Sequence, residues 1–136
     1  MKYEYIKDLT SDVAFKAYGS TFNELLENSA EALSGVMCNI DKIAKKRKII
    51  VEAKGESNED LLFNWLQQII AEVEIEQMFF SKFNIVDIND FSLTAECYGE
   101  EISNEKQKTH VKALTNYLFK LEKKGKNFIA TVSLDI

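Results

Sequence analysis

The 136-residue sequence has no proline, five glycines, two cysteines and one histidine. Each scarcity excludes something. With no proline and so little glycine, the chain is neither fibrous nor low-complexity and disordered. Cys38 and Cys97 lie far apart and fit no CxxC spacing, so a disulfide framework and a thiolate zinc site are both excluded; they are expected to be free, reduced thiols in small apolar positions. A single histidine, His110, excludes a histidine-rich zinc centre. No apolar run approaches the roughly 18 residues of a membrane span. Met1-Lys2-Tyr3-Glu4-Tyr5 has no apolar core of the secretory type, which predicts no signal peptide and a cytoplasmic location.

Charge of positive sign is also in deficit. Seventeen Lys and Arg face 22 Asp and Glu, for a net charge of -5. Proteins that hold RNA mainly through its phosphates are usually basic. The balance favours a protein partner or a cation, with RNA met only indirectly. The run Lys45-Lys46-Arg47-Lys48 is the one local exception. It reads as a solvated loop leading into a strand, with an RNA-binding patch as the alternative.

What the chain does have is the composition of an ordinary globular domain, 46% hydrophobic and 29% charged. Residues 1–136 suit one domain, large enough to bury about two-thirds of its unfolded surface. No period of 20–50 residues is evident. A first helix is signalled by Thr21 and Glu24, a capping box, followed by Phe22, Leu25, Leu26, Ser29, Leu33, Val36 and Met37 at helical spacing. Ser57 and Asp60 open a second, whose apolar stripe is Leu61, Leu62, Trp65, Leu66, Ile69, Ile70 and Val73.

Period-two alternation marks the strands. It runs through Val13, Phe15 and Ala17, through Lys48 to Ala53, and through Phe79 to Ile88 with a turn at Asn89-Asp90. It continues from Phe91 to Cys97, from Val111 to Leu121, and from Phe128 to Leu134 after a turn at Lys124-Gly125-Lys126. The polar segment from Gly99 to Lys108 is expected to be an exposed loop. The order β-β-α-β-α-β-β-β-β predicts an α+β fold, a mostly antiparallel sheet of about seven strands with two amphipathic helices on one face.

Catalytic signatures are missing. There is no GxxxxGK[ST] loop, GxGxxG or GxSxG elbow, and no catalytic residue is assigned. Cys38 and His110 sit on separate elements, and nothing in the sequence would lower the Cys38 pKa. Trp65, Phe79, Phe80 and Phe83 have the spacing of a packed core, which large aromatics commonly form; a ligand pocket is the other reading.

The carboxylates carry more. Asp12 stands at the mouth of a strand, Asp135 is penultimate, and Ile136 bears the terminal carboxylate. If the last strand lies beside the one that follows Asp12, three anionic groups converge and need a cation, for which hard oxygen ligands suit Ca²⁺ or Mg²⁺. Otherwise each is a solvated acid at a strand end.

Five segments resemble one family, the archeases. Asp8-Leu9-Thr10-Ser11-Asp12-Val13-Ala14-Phe15-Lys16-Ala17-Tyr18-Gly19 resembles the family opening E-H-T-A-D-[IV]-x-[FIL]-x-[AV]-x-G. Asp60-Leu61-Leu62-Phe63-Asn64-Trp65-Leu66 is similar to D-L-L-x-x-W-L. Phe91 to Glu100 is similar to L-x-A-x-x-x-G-E, Val111-Lys112-Ala113-Leu114-Thr115 to V-K-A-[VIL]-T, and Asp135-Ile136 to a terminal D-[IV]. The matches keep their order and span the chain.

The resemblance implies a divalent cation, calcium, held by Asp12, Asp135 and the Ile136 carboxylate. It also implies a role for Lys112 in activating a partner enzyme. The implied function is non-catalytic: an accessory factor that promotes guanylylation and multiple turnover of the GTP-dependent tRNA-splicing RNA ligase. The alternatives are a chaperone or modulator of another nucleic-acid enzyme, such as a tRNA methyltransferase, and a metal-dependent phosphoesterase. The chain departs from the pattern at Leu9, where the family has histidine, at Asn116-Tyr117, where it has Y-H, and at His110, where it has an acid. These changes alter the implied partner surface and leave the three carboxylates in place.

Overall fold

A computed structural model describes residues 1–6 and 13–136. Among them are seven strands and two helices in the expected order. They are β1 (Tyr3–Ile6), β2 (Val13–Gly19), α1 (Phe22–Met37), β3 (Arg47–Lys54), α2 (Asn58–Glu76), β4 (Met78–Asn89), β5 (Ser92–Glu101), β6 (Ala113–Lys124) and β7 (Asn127–Asp135). All strand pairs are antiparallel. The strands divide into two sheets, of order β1-β2-β7-β6 and β3-β5-β4, where the sequence suggests one. Alternation identifies a strand but not its neighbour, so the division is set by packing. No described helix is long and apolar enough to cross a membrane.

The two sheets are built alike. In each, the strand before the helix pairs with the last strand of its unit, which pairs in turn with the strand between: β2-β7-β6 and β3-β5-β4. The second unit is inserted in the first, between α1 and β6. The strand-to-helix junctions repeat in detail. Gly19-Ser20-Thr21-Phe22-Asn23-Glu24-Leu25-Leu26-Glu27-Asn28 matches Gly55-Glu56-Ser57-Asn58-Glu59-Asp60-Leu61-Leu62-Phe63-Asn64 at one constant offset.

The hydrogen bonds match too. The Thr21 and Ser57 hydroxyls each accept the amide three residues on, at 3.1 Å. Glu24 and Asp60 each accept the amide just before the cap, from Ser20 at 3.1 Å and Glu56 at 2.9 Å. Asn28 and Asn64 donate to the carbonyls of Tyr18 and Lys54 at 2.7 and 2.8 Å. A Cβ at Gly19 or Gly55 would run into the amide of Leu25 or Leu61, which fixes glycine at both. This repeat corrects the reading that none exists. It rests on ten residues per copy, too few to stand out along the chain.

Each helix serves both sheets. α1 packs on β2 and on β4, and α2 on β3 and β6. The edge strands β4 and β6 would otherwise present unpaired amides and carbonyls. Glu27 of α1 accepts the Ile85 amide at 2.9 Å, and Ser34 donates to the Phe80 carbonyl. Gln67 of α2 accepts the Leu114 amide at 2.7 Å. Between the helices, the Trp65 indole donates to the Leu26 carbonyl at 2.9 Å. Trp65, Phe79, Phe80 and Phe83 are all buried, so they form core rather than pocket. Cys38 and Cys97 are free and buried, as expected. Burial pushes both thiols up, Cys97 to about 12.

Three local expectations change. First, the β4–β5 turn takes Asp90 and Phe91, with φ of 49° and 58°, so Phe91 is a turn residue and not the first of a strand. Two consecutive positive φ values match the twist that two-residue hairpins need.

Second, β6 does not alternate from Val111 to Leu121. Thr115 pairs with Ser133 and Lys120 with Thr131, so residues 116–119 of β6 lie opposite Val132 alone on β7. The intervening residues bulge out, with Leu118 at φ 65°. The residue that β6 buries is Leu114, not Tyr117.

Third, Gly99, Glu100 and Glu101 belong to β5 rather than to an exposed loop. Glu100 is buried. It accepts the Ala44 amide at 2.6 Å and the Lys106 ammonium at 3.0 Å. The Ala44 bond first, then the Lys106 bond, hold its carboxyl below the usual range. A depressed carboxylate stabilises the fold above its unfolded value of about 4.3 and stops doing so as pH falls through the lower folded value. Glu100→Gln should therefore be less stable than wild type at pH 7, with the gap closing at pH 3. Urea unfolding at the two pH values checks this, and a gap that does not depend on pH would refute it.

Candidate functional site

The candidate site lies where β7 ends, between β2 and β6. Val13 is in register with Leu134, and Leu114 with Leu134 from the other side. One residue further along, Asp135 pairs with Ala113. The Lys112 amide donates to the Asp135 carbonyl at 2.8 Å. The ladder thus fixes the end of the chain from both flanks. Val132, Ser133 and Leu134 are all buried, whereas Asp135 is exposed and Ile136 is 38% exposed. The structure therefore brings Lys112, Asp135 and Ile136 together at one sheet end. Asp12 lies outside the described residues, as do Leu9 and the rest of residues 7–12.

The donor chemistry fits a hard cation. The side chain of Asp135 and the terminal carboxylate of Ile136 offer oxygens only, which suit Ca²⁺ or Mg²⁺ rather than a soft metal. Among the described residues no lysine, arginine or histidine is ion-paired with Asp135. Nor do three His, Cys, Asp or Glu side chains stand together as ligands there. The Lys112 side chain is exposed and makes no ion pair among these residues.

Other candidates are engaged elsewhere. His110 is exposed and sits 3.9 Å from Glu74. In the basic run, Lys46 lies 3.7 Å from Glu100, Arg47 3.6 Å from Glu76 and Lys48 3.3 Å from Glu96. Three of the four cations thus face carboxylates of the same chain, which weakens the run as a phosphate-binding patch. Sequence reasoning missed the structural role of Glu100, because an acid near a polar segment looks solvated. Its signal was the Gly99-Glu100 pair that closes the segment similar to L-x-A-x-x-x-G-E, and the structure shows why glycine precedes it: a Cβ at Gly99 would run into the Phe79 carbonyl.

The model of the Archease protein family (MTH1598/TM1083) matches residues 3–136. The chain is 34% identical over 138 residues to the protein archease of Sulfurisphaera tokodaii, covering 99% of each. It is 34% identical over 139 residues to that of Archaeoglobus fulgidus, covering 100% of each. The solution structure of Methanobacterium thermoautotrophicum protein 1598 superposes with a TM-score of 0.84 at 29% identity, covering 98% of each chain. The Thermotoga maritima crystal structure, described as an archease and possible chaperone, gives 0.70 at 22% identity, covering 96% of this chain and 95% of that one, and shares the fold. With the family model spanning nearly the whole sequence and curated archeases one-third identical from end to end, the chain belongs to the archease family.

Proposed function

We propose that the chain is a non-catalytic accessory factor of the GTP-dependent tRNA-splicing RNA ligase, promoting its guanylylation and repeated turnover. We further propose that Asp12, Asp135 and the Ile136 carboxylate hold a divalent cation, calcium, and that Lys112 acts on the partner. The observation that carries this reading is the register at the end of β7. Leu134 pairs with Val13, the residue bonded to Asp12, and Asp135 pairs with the residue after Lys112.

The cation would offset the mutual repulsion of the carboxylates and stiffen the sheet end that meets the partner. Lys112 is held by its backbone, so its ammonium starts from a fixed point and can be placed against a partner's anionic group. A chain of net charge -5 also suits a basic RNA-handling enzyme, since opposite surfaces speed encounter.

The test is a ligation assay with the organism's own RNA ligase, limiting enzyme and excess substrate. Added protein should convert a single round of joining into many. Identical product yield with and without it would remove the proposal.

A further inference from the structure

We propose that the groove between the first turns of α2 and the bulge of β6 docks a basic segment of a protein partner, one that sets a lysine or arginine beside an apolar side chain. Its lining includes none of Lys112, Asp135 and Ile136, and the inference does not depend on them.

The groove encloses about 690 Å³, and its lining includes Glu56, Glu59, Asp60, Phe63, Asn116 and Phe119. Its apolar floor is the pair Phe63 and Phe119, half-buried and edge to face with ring centres 5.0 Å apart. Beside it, the bulge of β6 presents Tyr117 and Leu118, 54% and 41% exposed. The two are consecutive and stand on an edge strand. They are held out by the backbone: the buried Ser133 hydroxyl donates to the Tyr117 carbonyl and lies 2.6 Å from the Thr115 hydroxyl. Scattered exposed apolar residues are ordinary, but an anchored pair next to an aromatic floor marks an interaction surface.

The rim decides what binds. Among the described residues no lysine, arginine or histidine lines the groove. Asp60 accepts the Glu56 amide, while the Glu56 and Glu59 carboxylates accept no hydrogen bond and meet no cation among the described residues. A phosphate backbone or an anionic membrane would be repelled. A lysine or arginine can lay its aliphatic stem and cationic head over Phe63 and Phe119 while the rim carboxylates meet the charge. The neighbouring apolar side chain then covers Tyr117 and Leu118.

The test titrates a blocked peptide of alternating arginine and leucine into the ¹⁵N-labelled full chain, with the glutamate–leucine peptide as the charge-reversed probe. The expected amide shifts are confined to residues 56–64 and 115–119. Glu59→Lys and Leu118→Asn should each weaken binding about tenfold, with the rest of the spectrum unchanged. Asparagine tolerates the positive φ of residue 118, so that variant removes apolar surface and keeps the bulge. Equal binding of the charge-reversed peptide, shifts centred elsewhere, or full affinity in both variants would overturn the proposal. So would concentration-dependent shifts of the same residues without peptide, which would make a second copy of the chain the occupant.

Discussion

Asp135→Ala is expected to abolish stimulation of the cognate RNA ligase while leaving the fold intact. Asp135 is exposed at the last rung of β7, and its contribution to the ladder is a backbone carbonyl, which accepts the Lys112 amide at 2.8 Å. Alanine keeps that bond. The stability change should stay within the ~0.5 kcal/mol usual for surface substitutions. What alanine removes is a hard oxygen donor. Losing even an outer-shell partner costs roughly 10–100-fold in metal affinity, and a direct ligand should cost at least that. Lys112→Ala separates the second role, because it too keeps the ladder amide and deletes only the ammonium. It should retain the cation and lose the stimulation. Full stimulation by Asp135→Ala, with a normal melting curve, would reject the site.

Trp65→Ala should cost about 3–5 kcal/mol, the range for truncating a buried tryptophan. Trp65 is fully buried, meets Phe83 edge to face with ring centres 6.2 Å apart, and joins α2 to α1 through the Leu26 carbonyl. Since single domains are stable by only about 5–15 kcal/mol, the variant should be close to unfolding at moderate temperature. Trp65→Phe keeps much of the packing and loses the indole bond, itself worth about 1 kcal/mol, so its loss should be much smaller. Urea denaturation of the two variants measures both. A loss under 1 kcal/mol for the alanine variant would mean that the helix pair is not held by this side chain.

The helices were legible because their signals are local. Thr21 with Glu24 and Ser57 with Asp60 announce the caps, and the structure places both caps there. The antiparallel hairpins were legible through alternation and turn residues. Pairing between distant strands was not, because alternation is the same whichever neighbour a strand takes. The division into two sheets and the exchange of helices between them depend on that pairing. The bulge of β6 was hidden by a coincidence of pattern. Val111, Ala113, Thr115, Tyr117 and Phe119 alternate in sequence, yet the inward residue is Leu114, where the Gln67 side chain takes the amide.

Of the candidate site, the residue types were visible and the geometry was not. That Lys112 lies beside Asp135 follows from the register of β6 on β7, which no spacing between them encodes. The family resemblance singled out Lys112, and the ladder supplies a physical reason for its position.

The proposed function depends most on one hard cation held jointly by Asp12, Asp135 and the Ile136 carboxylate. Calcium titrated into the metal-free protein by calorimetry tests this without any partner. One site per chain is predicted for the wild type, and Asp12→Asn and Asp135→Asn should each weaken it by tenfold or more. An absence of calcium-dependent heat in the wild type, or unchanged binding in both variants, would contradict it.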